Sequence, residues 1–305
     1  MVFASAISSP VKAAVDFDHD GKADFALFRP SNKVWYSQSA DKSSFNAFRW
    51  GLVTDKLVPA DYDGDGQTDI AVWRPEDGIW YISRSSDSRV QYVRWGTTTI
   101  HPTGGLEDVP VVGDYDGDGT ADIAVWRPDS GEWFLLRSST AFDQTRYERV
   151  RWGKLGDVPV QADYDGDGRT DIAVFRPWEN RWYIMQSSDG HIRYETFGRA
   201  GNDLLLPADY TGDGKADIAV YRGGTWFVLN SKTREVEPFA FGFADDVPVP
   251  ADYDGDGATD FAVYRKGIWY INDSSTPQFR TFNFGLDTDI PLNSLDVKQS
   301  IVSAP

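Results

Sequence analysis

Cysteine is absent from the 305-residue chain, which removes disulfides, thiolate metal sites and cysteine nucleophiles together. Histidine is nearly as scarce. His19, His101 and His191 are the full set, and none has the neighbours that a zinc site or a Ser-His-Asp triad requires. No G-x-S-x-G, phosphate loop or H-E-x-x-H occurs. No apolar run reaches the roughly 20 residues that span a bilayer, so membrane insertion is not expected. The opening MVFASAISSP lacks a basic n-region and a long apolar stretch, so it does not read as an intact signal peptide. Positive charge is in the minority: 30 Lys and Arg face 47 Asp and Glu, for a net charge of −17. Nucleic acid and anionic membranes are thus poor partners over most of the surface.

Apolar residues make up 41% of the chain and aromatics 14%, enough for a substantial core and weighted toward strand formers. The chain also repeats. The stretch DYDGDGQTDIAVWRP, Asp61 to Pro75, has counterparts beginning at Asp16, Asp114, Asp163, Asp209 and Asp252, at intervals of 43 to 53 residues. Each unit continues to an aromatic pair (Trp35-Tyr36, Trp80-Tyr81, Trp133-Phe134, Trp182-Tyr183, Trp226-Phe227, Trp269-Tyr270). It then reaches an aromatic-Gly pair: Trp50-Gly51, Trp95-Gly96, Trp152-Gly153, Phe197-Gly198, Phe241-Gly242 or Phe284-Gly285. Length differences fall between these blocks, where turns belong.

Four strands per unit are expected: A before the acidic loop, B as IAVWRP, C as WYI, and D ending in WG or FG. Strand B is apolar on both faces, so both are covered. Its Ala recurs as Ala26, Ala71, Ala124, Ala173, Ala219 and Ala262, which suggests close approach of neighbouring sheets. Units of this length with four short strands read as blades of an all-β propeller, ahead of a β-sandwich. The expectation is one domain over 1–305, with repeats at about 11–51, 52–96, 97–153, 154–198, 199–242 and 243–285. The remaining 286–305 form a tail that closes the ring against blade one, since an open ring leaves an unpaired edge. Seven copies of strand A are legible, counting SPVKAAV and the tail, but only six of B, C and D; six blades are therefore expected, with seven as the alternative.

The loop reads D-x-D-x-D-G-x-x-D. Hard oxygen ligands at positions one, three and five, with Gly at six, form the front half of a Ca²⁺ loop, without the EF-hand Glu at twelve. The predicted ligands are Asp16, Asp18, Asp20 and Asp24; Asp61, Asp63, Asp65 and Asp69; Asp114, Asp116, Asp118 and Asp122; Asp163, Asp165, Asp167 and Asp171; Asp209, Asp213 and Asp217; and Asp252, Asp254, Asp256 and Asp260. Without these 23 aspartates the remaining 24 acidic residues face 30 basic ones; the acidity of the chain is that of its loops. Like charges ~4 Å apart cost about 1 kcal/mol even in water, and Asp and Gly as mere turn formers do not account for six repeats of the same spacing. About six structural Ca²⁺ are expected. Unit five, with Thr211 in place of the second Asp, is the weakest site, and His19 at position four of unit one is read as incidental.

Taken in order, W/FG, PVPADYDGDGxTD, IAVWRP and GxWYI resemble the FG-GAP or VCBS repeat, the integrin-α type of propeller module, over about residues 11 to 290. Here "WRP", "FRP" or "YR" replaces GAP. The resemblance implies a calcium-binding β-propeller, often extracellular and usually seven-bladed, with the 23 loop aspartates as Ca²⁺ ligands. In bacteria it implies secreted and surface proteins. It implies no single activity, since members serve in adhesion, in ligand binding or as modules beside enzymes.

Outside the loops the candidates are few. Eleven of the twelve Trp sit at repeat positions and read as packing. Trp178, in a turn after Arg176-Pro177, is the exception and a candidate ligand contact, as is His101 in the insertion TTTIHPTGGLED. Arg29, Arg74, Arg127, Arg176, Arg222 and Arg265 recur at the end of strand B and suggest structural pairing, with loop carboxylates or with an aromatic face of the next blade, ahead of a ligand-lined rim. The sequence thus predicts a non-catalytic, Ca²⁺-stabilised extracellular module for binding, adhesion or structure, with a glycan or protein as partner. One alternative is a carbohydrate-active lyase or hydrolase on a propeller scaffold. The other is a self-associating subunit of a surface fibre or layer.

Overall fold

The computed structural model describes residues 15–97, 106–276, 278–294 and the backbone of 298–299. Blade two shows the plan. Strand A (Lys56–Leu57), strand B (Ile70–Arg74), strand C (Ile79–Ser83) and strand D (Val90–Arg94) form one antiparallel sheet in that order. Ala71, Val72 and Trp73 of strand B are fully buried, as an apolar run covered on both faces must be. Strand D is largely exposed and forms the outer edge. Each blade repeats this arrangement, and six such antiparallel sheets make up the described chain. The chain is an all-β propeller of six four-stranded blades.

The ring is closed by three independent sets of contacts. Six apolar clusters each join residues of two adjacent blades, from Ala26, Trp35 and Val72 between blades one and two to Phe25, Val249 and Trp269 between six and one. The recurring strand-B Ala is fully buried in every blade, so a larger side chain there would force the sheets apart. In a second set, the backbone N–H at position eight of each acidic loop donates to the carbonyl of position one in the preceding loop. The six bonds, Thr68 to Asp16, Ala121 to Asp61, Thr170 to Asp114, Ala216 to Asp163, Thr259 to Asp209 and Ala23 to Asp252, measure 2.6–2.7 Å and return to their start.

The third contact is the tail. Ile290–Pro291 pairs antiparallel with Phe25–Arg29, setting Leu27 against Pro291 and Phe28 against Ile290. Ile290–Pro291 therefore fills the strand-A place of blade one. The chain then continues to Lys298–Gln299, which adds a fifth strand beside Leu204–Leu205 in blade five. Most of SPVKAAV, the N-terminal candidate for strand A, lies outside the described residues. No helix among the described residues is long and apolar enough to cross a membrane.

Because the strands are antiparallel, each blade has two distinct ends. The acidic A–B loops and the C–D turns lie at one. The B–C turns and D–A connections lie at the other.

Candidate metal centres

Each acidic loop is built around its first Asp. Asp61 accepts from the N–H of Gly64 at 2.6 Å and of Gly66 at 2.9 Å, and Asp16, Asp114, Asp163, Asp209 and Asp252 do the same in their blades. The chain can turn this tightly because positions four and six adopt left-handed φ, which favours glycine. Position four in blade one is His19, at φ +61°, and its ring lies against Gly66 of the next loop.

Position nine anchors the loop to the rest of its blade. Asp69 is fully buried and accepts from the N–H of Tyr62 at 2.9 Å and of Ser85 at 2.6 Å. Asp122, Asp171, Asp217 and Asp260 repeat both bonds. Burial pushes these carboxyls up, Asp24 and Asp260 to about 7 and Asp69 and Asp171 to about 6. It also raises Asp114, Asp163 and Asp252 at position one. Such sites disfavour bare negative charge and are relieved by a proton or a cation.

Carboxylate oxygens from positions one, three and nine converge to within 4.8 Å of one another in five blades: Asp16, Asp18 and Asp24; Asp61, Asp63 and Asp69; Asp114, Asp116 and Asp122; Asp163, Asp165 and Asp171; and Asp252, Asp254 and Asp260. The fit to a hard cation can be tested on position three. Oδ1 of Asp18, Asp63 and Asp116 is buried without a hydrogen-bond partner among the described residues. A buried carboxylate oxygen lacking a donor is costly, and three such oxygens aimed at two further carboxylates match what a divalent cation requires. The five clusters could each hold a metal ion.

The predicted ligands at position five are placed elsewhere. Asp65 caps the turn by accepting from the N–H of Gln67 at 2.8 Å and receives the Ser85 hydroxyl at 3.0 Å; it is not a member of its cluster. Asp20, Asp118, Asp167 and Asp256 likewise stand outside theirs. In blade five, Asp209, Asp213 and Asp217 do not form such a group because Thr211 leaves position three without a carboxylate.

A serine pair that begins five residues after the strand-C Trp supports the full sites of blades two, three, four and six, and the sequence reading missed it; blade one carries Ala40-Asp41 there instead. Ser85, Ser138, Ser187 and Ser274 bind position five, while Ser86, Ser139, Ser188 and Ser275 donate to Oδ2 of Asp63, Asp116, Asp165 and Asp254. In Asp63 and Asp116 one carboxylate oxygen is held by the hydroxyl and the other is the donor-free Oδ1, while Oδ1 of Asp165 and Asp254 accepts a backbone N–H of its own loop. The signal was present as a Ser-Ser pair recurring in four units; in blade five the second serine is Lys232 and the position-three carboxylate is also missing.

The strand-B arginines lie at the opposite end of the blades and correct the expectation that loop carboxylates pair with them. Arg29, Arg74, Arg127, Arg176, Arg222 and Arg265 make two-pronged bonds to Asp289, Asp55, Asp108, Asp157, Asp203 and Asp246, a separate set in the D–A connections. Their guanidinium planes stack on the strand-C aromatics of their own blades: Tyr36, Tyr81, Phe134, Tyr183, Phe227 and Tyr270. The metal-loop carboxylates could not have reached, because strand B runs its full length between the two ends. Trp178 lies on this second end, 45% exposed, with Arg176 over its ring at 5.5 Å. His101 falls outside the described residues.

This geometry defines a class: a six-bladed propeller that carries one carboxylate-rich loop per blade, cross-bonded to the next. The family model described as "FG-GAP-like repeat" matches residues 61–125 and 163–220, so the propeller contains FG-GAP-like repeats over those residues. No curated protein matches the sequence. Among solved structures, an Agrocybe aegerita lectin that recognises non-reducing terminal N-acetylglucosamine is similar at 18% identity and TM-score 0.56, over 90% of this chain and 80% of that one. BBS1N, in complex with ARL6DN, is similar at 12% identity and TM-score 0.52, over 98% and 95%. Apo AztD from Citrobacter koseri is similar at 11% identity and TM-score 0.52, over 87% and 83%. At these identities the likeness concerns the fold.

Proposed function

We propose that the chain is a non-catalytic, Ca²⁺-stabilised extracellular module that binds a glycan or protein ligand. The observation that carries the calcium half is the set of buried, donor-free Oδ1 atoms of Asp18, Asp63 and Asp116 within three-carboxylate clusters. All-oxygen, carboxylate-rich sites without His or Cys suit Ca²⁺ over the softer transition metals. When bound, the ion supplies charge neutralisation and cross-linking. Asp at positions one, three and nine would hold it in blades one, two, three, four and six, which favours five ions over the six read from sequence. The millimolar Ca²⁺ of extracellular fluid suits such loops. A structural role follows from placement: each loop bonds to its neighbour, so the ions sit at the seams of the ring.

The binding half rests on architecture. A rigid ring presents six sets of connections at its second end, the usual place for variable, functional loops on a fixed scaffold. The test combines native mass spectrometry with a glycan array and a sizing run in Ca²⁺. Five bound Ca²⁺ and ligand capture without turnover support the proposal. A metal-free protein, released product or growth into large assemblies would each overturn the corresponding part.

A further inference from the structure

The six blades are not equivalent at their second end. In blades one, two and four the B–C turn has four residues, and one of them occupies the strand-C tyrosine hydroxyl. Asn32 donates to Tyr36 Oη at 2.9 Å, Tyr81 donates to Asp77 at 2.7 Å, and Tyr183 donates to Glu179. Blade six joins Arg265 to Ile268 by only Lys266 and Gly267. Their φ values of +51° and +85° mark a two-residue hairpin turn with both central residues left-handed. Nothing in so short a turn covers strand C, and the Tyr270 hydroxyl has no hydrogen-bond partner among the described residues. Blade five has a turn of the same length, but its strand C carries Phe227 in place of tyrosine.

The shortened turn opens a cleft of about 290 Å³ lined by Phe241, Phe243, Val263, Arg265, Tyr270 and Phe279. Phe243 and Phe279 are 65% and 62% exposed, although Phe279 lies within 6.2 Å of both Phe241 and Tyr270, ring centre to ring centre. Phe243 stands directly after the FG pair; Thr97, Lys154 and Arg199 hold that place at three other junctions. The Arg265 guanidinium lies over the Phe243 ring at 4.2 Å and over Tyr270 at 4.7 Å, while its Nε and Nη2 bond Asp246.

We propose that this cleft is a binding site for a neutral saccharide ring, an inference that rests on the chain being a binding module. Ligand charge is decided by what is already there. A cation would meet Arg265 in the aromatic faces it needs. An anion would meet the Arg265 charge already compensated by Asp246, on a protein of net charge −17. A neutral pyranose fits both constraints: its C–H face covers exposed phenyl rings, and its hydroxyls satisfy a phenol with no partner. Ligand sites are mostly apolar with a few placed polar groups, and a volume near 300 Å³ is at the lower end of their range, suited to one or two sugar residues.

The experiment uses the full chain in Ca²⁺ with a panel of neutral methyl pyranosides and their disaccharides, read by saturation-transfer NMR and titration. Expected is binding that falls at least tenfold in Phe243→Ala and severalfold in Tyr270→Phe, with no change in Tyr81→Phe, whose hydroxyl is already bonded. Phe243 is exposed and Tyr270 half-buried against the seam of blades five and six, and an unchanged melting temperature would exclude misfolding. Saccharide binding that survives both substitutions overturns this site and leaves the module reading standing. No binding across the panel also overturns the site, whereas loss of the five Ca²⁺ would strike the module reading alone.

Discussion

At position four of the acidic loop five blades place glycine and blade one places His19. All six adopt left-handed φ, where a Cβ costs roughly 1–2 kcal/mol. Replacing His19 by Gly removes that cost and returns part of it as unfolded-chain entropy. The expected outcome is a gain of about 0.5–1 kcal/mol in a denaturant titration; a loss would show that the ring packed on Gly66 outweighs the strain. Thr211 offers the converse test. A Thr211→Asp, Lys232→Ser double variant restores both the carboxylate and its serine support, and native mass spectrometry should count six Ca²⁺ in place of five. An unchanged count would mean that blade five differs for reasons beyond these two side chains.

At the scale of the element, the two ends of each blade use aspartate in opposite ways. At the loop end carboxylates gather against each other. In chelator, their raised values mean that the folded state holds more protons than the unfolded chain between the ordinary 3.8 and about 7. Stability should therefore fall as pH rises through that window, since the slope follows the protons bound by the unfolded minus the folded state. Ca²⁺ binds the deprotonated form, so its stabilisation should grow over the same window. Melting curves at pH 5 and pH 8, with and without Ca²⁺, check both slopes; chelated protein that is more stable at pH 8 would contradict the assigned burial. At the other end aspartate is fully paired. Arg176 and Asp157 are 7% and 0% exposed at their side chains. Arg176→Ala leaves a buried carboxylate without its partner and should cost ~3–5 kcal/mol, seen as a large drop in unfolding midpoint. These pairs were half legible: the periodic arginines announced a structural role, but their partners sit 19 residues away in five blades and 260 away in the first. Sequence separation alone could not single them out from the loop aspartates.

For the whole molecule, closure is the controlling feature. Ile290–Pro291 and Asp289 belong to the tail, yet they complete blade one through strand pairing and through the Arg29 ion pair. Removing residues 286–305 should leave the Phe25–Arg29 edge unpaired and open the seam between blades six and one. Hydrogen exchange at Phe25–Arg29 should then accelerate well beyond that at Ile172–Arg176 in blade four; uniform protection in both would show that the ring closes without the tail. The ring also explains why a chain whose sequence repeats six times need not bind at six places. Identical blades can differ wherever a two-residue change in a turn exposes a side chain that its neighbours cover.

The sequence by itself determined the blade as a unit and the acidic loops, and favoured six blades over seven, because strand alternation and loop chemistry are local and repetition multiplies their signal. Only the tertiary structure decided which aspartates converge, since position five is as acidic as position three but turns toward its own backbone. It also decided that the tail, read from sequence as closing the ring, does so by pairing Ile290–Pro291 with Phe25–Arg29, and that blade six carries an uncovered cleft. Those outcomes depend on which residues meet across the ring, and spacing along the chain does not encode that.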